Sequence, residues 1–103
     1  MTHYVTVLDA DALSPGQARR VIVGDEEVAV YNVDGELFAT SDICSHEEAS
    51  LSEGELFDHV VECPLHGARF DIRTGKPLSL PAVYPVKTYP VRVDGSEVQV
   101  EVD

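Results

Sequence analysis

Two cysteines and two histidines form a pair of short motifs, and these are the residues best suited to metal chemistry. Cys44 and His46 make a Cys-x-His motif, and Cys63 and His66 make a Cys-x-x-His motif after sixteen intervening residues. Thiolate sulfur and imidazole nitrogen are ligands that zinc and iron–sulfur clusters take from proteins. The four residues are therefore candidate ligands of one metal centre.

The order of the ligands keeps two kinds of centre open. Cys₂His₂ is a common structural zinc site, but zinc fingers usually place two cysteines in one motif and two histidines in the other. A [2Fe–2S] cluster can take two cysteines on one iron and two histidines on the other. Both motifs here are mixed, so each loop could reach both irons, Cys44 and Cys63 holding one and His46 and His66 the other. The spacing favours the cluster and leaves zinc as the alternative.

The length of the chain predicts a single domain over residues 1–103. No apolar run approaches the roughly twenty residues that a membrane-spanning helix needs. Residues 1–5 lack the basic segment followed by an apolar one that begins a signal peptide. We therefore expect a cytoplasmic protein without membrane attachment, whose two cysteines are reduced metal ligands rather than a disulfide.

The charge distribution excludes one class of partner. The net charge is −12, and residues 21–68 contain twelve acidic residues but no lysine or arginine. Such a surface would repel nucleic-acid phosphates, so no nucleic-acid binding is expected. It favours a protein partner with a basic docking face, although acidity alone also keeps a protein in solution.

Short strands and turns must position the two motifs. Alternating segments predict strands at residues 4–8, 18–23 and 69–73, and a short one near 59–61. Asp-Gly pairs predict hairpins over residues 28–40 and 86–102, because both turn residues can take positive φ. No segment has helical periodicity over three turns. The pattern predicts an all-β fold of antiparallel sheets, with the ligand motifs on loops at strand ends.

The residues around the motifs resemble the Rieske-type ferredoxins, the small electron carriers of bacterial aromatic-ring dioxygenase systems. The resemblance covers nearly the whole chain. It is carried by residues 44–46 (Cys-Ser-His), 49–54 (Ala-Ser-Leu-Ser-Glu-Gly), 61–75 (Val-Glu-Cys-Pro-Leu-His-Gly-Ala-Arg-Phe-Asp-Ile-Arg-Thr-Gly) and 80–82 (Leu-Pro-Ala).

The resemblance implies a Rieske fold of stacked antiparallel sheets with a small cluster-binding subdomain at about residues 42–82. It implies one Rieske-type [2Fe–2S] cluster, with Cys44 and Cys63 on the buried iron and His46 and His66 on the outer iron through Nδ1. The implied role is a soluble one-electron carrier, not an enzyme by itself. It would pass electrons from an NADH-dependent flavin reductase to a terminal Rieske non-haem iron oxygenase, docking briefly near His46 and His66.

Two features predict a reduction potential at the low end of the Rieske range, near about −150 mV. Ala68 stands where respiratory Rieske proteins tend to carry a serine that donates to the cluster. Asp42, Glu47, Glu48 and Glu62 lie near the ligands, and their charges disfavour the added negative charge of reduction. The alternatives are a small subunit of a larger oxidoreductase such as nitrite reductase, and a structural zinc module.

Overall fold

Ten β-strands form three antiparallel sheets in the computed structural model, which describes residues 3–44, 49–64, 67–79 and 84–102. The first sheet has the order β1-β10-β9, the second β2-β3-β4-β8 and the third β5-β6-β7. The strands are β1 (His3–Asp9), β2 (Ala18–Val23), β3 (Glu26–Val33), β4 (Glu36–Ser41), β5 (Glu55–Phe57), β6 (Val60–Glu62), β7 (Arg69–Asp71), β8 (Thr88–Tyr89), β9 (Val91–Asp94) and β10 (Glu97–Val102). The helical elements within these ranges are two 3-10 turns, Ala10–Ala12 and Leu51–Glu53.

Strand β3 connects the two parts of the core, because both of its faces are buried. Val28 and Val30 belong to the apolar cluster that also holds Val98 and Val100 of β10. Residues of the opposite face, Tyr31 among them, belong to the cluster that contains both cysteines. Since successive strand residues point to opposite faces, one strand fixes the cysteine-bearing region against the rest of the domain.

The β3–β4 hairpin forms where the sequence predicts it. Val33 pairs with Glu36 across the turn, and Asp34 and Gly35 have φ values of 52° and 94°. Positive φ at both turn residues matches the right-handed twist of the flanking strands. This hairpin ends in Ser41, three residues before Cys44, and so brings the first motif to the end of the second sheet.

The last predicted hairpin is only partly correct. Residues 86–93 were expected to form one strand, but Pro90 separates β8, which pairs with β4, from β9, which pairs with β10. Proline has no N–H for a sheet ladder, so the chain changes sheets there. The carbonyl of Pro90 still accepts a hydrogen bond from Glu101 N–H at 2.9 Å, which keeps the two sheets connected.

The third sheet contains a strand that the sequence analysis did not resolve. β5 pairs with β6 through a turn at Asp58 and His59, and Asp58 takes φ 54°. The turn lacks glycine, so its positive φ left no clear signal in the sequence. The sheet lies inside residues 42–82, the predicted cluster-binding subdomain, although the bounds of that subdomain stay a prediction. In the described part of the chain, no helix is long and apolar enough to cross a membrane.

Candidate metal centre

Both cysteines lie at strand ends and inside the same buried cluster. Cys44 follows β4 and Cys63 follows β6, with 3% and 2% of their surfaces exposed. Neither forms a disulfide bond. The buried members of the cluster are Ala29, Tyr31, Val33, Cys44, Ala49, Leu51, Val61, Cys63, Ala68, Phe70, Ile72 and Val86. The fold thus brings together two thiols that are nineteen positions apart in the sequence, which is the arrangement needed for a shared ligand set.

The two ligand loops are closed by equivalent hydrogen bonds. Cys44 N–H donates to the carbonyl of Ala49 at 3.0 Å, and Cys63 N–H donates to the carbonyl of Ala68 at 2.7 Å. We call residues 44–49 the first loop and residues 63–68 the second loop. In each, the cysteine and the fifth residue after it form the base, and the predicted histidine lies between them. The same closure at both motifs supports a site built from two matching loops.

The two predicted histidine ligands cannot be placed in the same way. His46 and His66 lie outside the described residues, as do Glu47 and Glu48 and the proline segment at 80–82. Among the described residues, no three His, Cys, Asp or Glu side chains gather into a metal site. The described part of the predicted set is therefore the cysteine pair, and a pair of buried reduced thiols fits the sulfur ligands of a [2Fe–2S] cluster.

Two glycines allow the close backbone packing around the second loop. Gly67 has φ 71°, a left-handed conformation that glycine adopts without strain. At Gly54, an added Cβ would overlap the carbonyl oxygen of Glu62, the residue before Cys63. The second loop is therefore held against the 3-10 turn Leu51–Glu53 by a contact that no larger residue would permit.

A buried tyrosine lies in the cysteine cluster. The hydroxyl of Tyr31 shares a hydrogen bond with Thr40 Oγ1 at 2.8 Å, and Thr40 Oγ1 in turn donates to the carbonyl of Ser41 at 2.9 Å. Burial raises the pKa of Tyr31 well above its ordinary value, so the phenol stays neutral. Because the hydroxyl of Tyr31 is neutral and hydrogen-bonded, its burial in the apolar cluster leaves neither a charge nor an unpaired polar group there.

Arginines lie next to two of the four acids that the sequence analysis treated as negative neighbours of the ligands. Arg20 Nε is 3.4 Å from Asp42 Oδ2, and Arg69 Nε donates to Glu62 Oε1 at 2.9 Å. Arg20 and Arg69 lie just outside the two ends of the base-free span of residues 21–68. Their contacts with Asp42 and Glu62 form only in the folded chain, so the sequence did not show them. The local negative charge is smaller than the sequence suggested.

Exposed apolar side chains flank the loops that carry the predicted site. Ile43 directly precedes Cys44, while Leu78 and Tyr84 lie on either side of the proline segment. Tyr84 is 70% exposed, whereas Tyr89 is buried in β8. The ring of His59 packs edge-to-face on Phe38, with ring centroids 5.4 Å apart.

The structure also assigns a role that sequence reasoning missed. Asp42 was considered only for its charge, but its side chain is buried and accepts hydrogen bonds from Ser50 Oγ and Ser52 N–H. The available signal was an aspartate two residues before Cys44 and two serines just after the first loop. A sequence does not show that such residues meet until the loop between them is closed.

These features define a small all-β protein with two buried cysteines at the bases of two matching loops. Comparison with known families is specific: residues 3–90 match the Rieske [2Fe-2S] domain. The chain belongs to this family, and its cofactor is accordingly a Rieske-type [2Fe–2S] cluster.

Similar proteins include components of dioxygenase systems. The chain is 50% identical over 91 residues to the ferredoxin component of biphenyl 2,3-dioxygenase from Rhodococcus jostii, covering 88% of this chain and 85% of that protein. A complex of reduced oxygenase and oxidized ferredoxin in carbazole 1,9a-dioxygenase contains a chain that is 44% identical, with a TM-score of 0.89 and coverage of 94% and 91%.

A more distant likeness bears on the alternative function. A putative NADH-dependent nitrite reductase small subunit from Mycobacterium tuberculosis is 27% identical, with a TM-score of 0.89 and coverage of 100% of this chain and 97% of that one. The predicted all-β Rieske fold, the cofactor and the role as an electron-transfer component rather than an enzyme are confirmed.

Proposed function

We propose that this chain is the ferredoxin component of a bacterial aromatic-ring dioxygenase system and carries single electrons to a terminal Rieske non-haem iron oxygenase. The observation that carries the proposal is the burial of Cys44 and Cys63 in one cluster, at the bases of two equivalent loops, in a chain of this family. When bound, the [2Fe–2S] cluster supplies one-electron transfer and no bond-making chemistry. The protein's own residues hold it, limit water and form the docking surface.

The proposed ligands are Cys44 and Cys63 on the inner iron and His46 and His66 on the outer iron. The two thiols are buried and reduced, which suits the inner position. The histidines are on the same loops, two and three residues after the cysteines, so each loop can contribute one ligand to each iron. An imidazole on the outer iron would leave its other nitrogen edge near the surface, where electrons can leave.

The proposed partners are a flavin-dependent ferredoxin reductase and the terminal oxygenase. Both would dock briefly near His46 and His66. Ile43 directly precedes the first loop, and Leu78 donates its N–H to the carbonyl of Arg69, the residue after the second loop, so both supply exposed apolar contact area next to the site. The net charge of −12 would speed the approach of a partner with a basic face. A small contact area with a strong electrostatic contribution suits a carrier that must be released in every cycle.

The proposed location is the cytoplasm. Two cysteines that form no disulfide suit a reducing compartment, where thiols are available to hold a metal centre. An NADH-dependent reductase would also supply electrons there.

An anaerobic redox titration followed by EPR spectroscopy tests the cluster and its role. We expect one iron–sulfur cluster per chain, a Rieske-type signal on one-electron reduction and a potential near about −150 mV. The Cys63→Ala variant should lose the signal, and exposed Asp25→Ala should keep it. A colourless protein that contains zinc would refute the proposal, and a potential above zero would refute its low-potential part.

Partner assays distinguish the carrier from the alternative that the nitrite reductase likeness suggests. A carrier should accept electrons from a reductase and pass them to an oxygenase at rates that fall as ionic strength rises, because salt screens the acidic surface. Rates that are indifferent to salt would contradict the proposed acidic docking face. Stable co-purification with a large oxidoreductase subunit would favour the small-subunit alternative.

A further inference from the structure

Asp42 holds the residues on both sides of the first loop. Its side chain is 2% exposed and lies outside the proposed ligand set. Oδ1 accepts a hydrogen bond from Ser52 N–H at 2.8 Å, and Oδ2 accepts one from Ser50 Oγ at 2.6 Å. The backbone carbonyl of Asp42 accepts a third bond, from Leu51 N–H at 2.7 Å. One residue before the loop therefore contacts three consecutive residues after it.

These contacts fix the base of the loop rather than its tip. Ile43 and Ser50 form a β-bridge, and the next bond inward joins Cys44 N–H to the carbonyl of Ala49. Asp42 is itself anchored to the second sheet, since its N–H donates to the carbonyl of Glu27 in β3 at 2.9 Å. The carboxylate thus connects the rigid sheet to the far end of the loop that presents Cys44.

Arg20 compensates the charge of this buried carboxylate. Its Nε lies 3.4 Å from Asp42 Oδ2, and the same guanidinium pairs with Glu27. A buried carboxylate needs hydrogen-bond donors or a counter-charge to offset its loss of hydration. Asp42 has both, so its geometry is determined by several partners at once, as a positioning role requires.

We infer that Asp42 is a positioning residue of the [2Fe–2S] site: it fixes the base of the first loop so that Cys44 and His46 meet the cluster in the correct geometry. The inference rests on the proposed ligand set. Groups that orient metal ligands without touching the metal commonly affect metal retention by about 10- to 100-fold. Asp42 acts on the ligands through the backbone of the first loop. Its hydrogen bond with the Ser50 hydroxyl contributes part of this effect.

The test measures how fast the loaded protein loses its cluster to an excess iron chelator, followed by visible absorption and EPR. Asp42→Ala should lose the cluster about 10- to 100-fold faster than the wild type. Asp25→Ala removes an exposed acid from the β2–β3 turn and should release it at the wild-type rate. Both variants remove one negative charge, so a difference between their rates shows that the position of the Asp42 carboxylate matters and not only the net charge of the protein.

A second pair of variants removes a single hydroxyl from neighbouring serines. Ser50→Ala removes the donor to Asp42 Oδ2 and should accelerate cluster loss, by a smaller factor than Asp42→Ala. Ser52→Ala removes only a hydroxyl that contacts Ser50 Oγ, while its N–H still donates to Asp42. It should resemble the wild type. This pair decides the question even if Asp42→Ala fails to fold.

The EPR signal distinguishes positioning from general support of the fold. Asp42→Ala and Ser50→Ala should shift or broaden the Rieske-type g-values, and Asp42→Asn, which keeps the shape and one acceptor oxygen, should recover part of the wild-type retention. Wild-type release rates and g-values in both Ala variants would overturn the inference, as would equal effects of Ser50→Ala and Ser52→Ala. A wild-type protein without a [2Fe–2S] cluster would instead refute the proposed function, so the two failures are distinguishable.

Discussion

Replacing Gly54 by alanine tests how the second loop is held. Gly54 follows the 3-10 turn Leu51–Glu53, and its N–H donates to the carbonyl of Leu51 at 3.0 Å. An added Cβ would overlap the carbonyl oxygen of Glu62, because it would lie well inside the 3.0 Å that Cβ atoms in proteins almost always keep from other atoms. Because Glu62 directly precedes Cys63, any displacement that relieves the overlap moves the start of the second loop.

The expected cost comes from packing alone. Gly54 has φ −80° and ψ 178°, an extended conformation that alanine also adopts, so no backbone strain is added. Forcing a carbon into a packed region costs about 1–3 kcal/mol and occasionally more. Since the obstructing atom belongs to the backbone of strand β6, we expect about 3 kcal/mol, which lowers the Tm of a domain of this size by about 10 °C or more.

Gly95→Ala is the matched control, because it adds backbone strain without a steric overlap, whereas Gly54→Ala adds an overlap without backbone strain. Gly95 has φ 62°, and a Cβ there would have no atom within 4 Å from any described residue other than its two chain neighbours. Its cost should be the conformational strain alone, about 1–2 kcal/mol. Thermal and urea unfolding of both variants, together with their rates of cluster loss to a chelator, complete the experiment. Gly54→Ala should be the less stable variant and the only one of the two with faster cluster loss. Equal stability and equal retention would show that the second loop does not depend on this contact.

Three further predictions concern the buried tyrosine, an acid-sensitive carboxylate and the cluster itself. Tyr31→Phe should cost about 0.5–1.5 kcal/mol in urea unfolding, because it removes one hydrogen bond while Thr40 still has another acceptor; an unchanged midpoint would contradict this. Hydrogen bonds from Tyr89 at 2.9 Å and Lys87 at 3.1 Å hold the pKa of Glu26 below its ordinary value of 4.5. The stability that the ionised Glu26 carboxylate contributes is therefore present above pH 4.5 and is lost as the pH falls through the lowered pKa. Glu26→Gln should therefore flatten the loss of stability below pH 4.5, and an unchanged acid profile would count against this pairing. Removing the cluster with a chelator should lower the Tm, because a ligand that binds only the folded chain stabilises it; identical melting of loaded and stripped protein would refute this.

The sequence predicted those parts of the fold whose signals are local. Asp34 and Gly35 specify a turn that depends on their own backbone conformations, and the observed φ values agree. The β5–β6 turn gave no such signal, because Asp58 takes positive φ without glycine. The split at Pro90 was missed because a proline shows that a strand is interrupted but not which sheet each half joins.

The two cysteines of the candidate site could be recognised from the sequence, whereas the residues that support them could not. Cys44 and Cys63 were recognisable because their chemistry and spacing are rare, and the structure buries both in one cluster. The contact between Gly54 and the carbonyl of Glu62 depends on how the residue before β5 packs against the end of β6, which no local pattern encodes. The same applies to Asp42, whose partners follow it by eight and ten residues.

The two arginines beside the ligand loops change how the acidity of this protein acts. Arg69 is about half exposed, so its ion pair with Glu62 is screened by water and contributes little stability, whereas Arg20 pairs with the buried carboxylate of Asp42 and offsets part of its lost hydration. They still place a positive charge near each acid, which weakens the effect of those acids on the reduction potential. At distances larger than such a pair, a partner experiences the net charge of −12, which the two arginines only slightly reduce. The acidity is therefore better suited to attracting a basic partner than to adjusting the cluster, and the prediction of a low potential depends more on the alanine at the buried position 68, which has no side-chain donor.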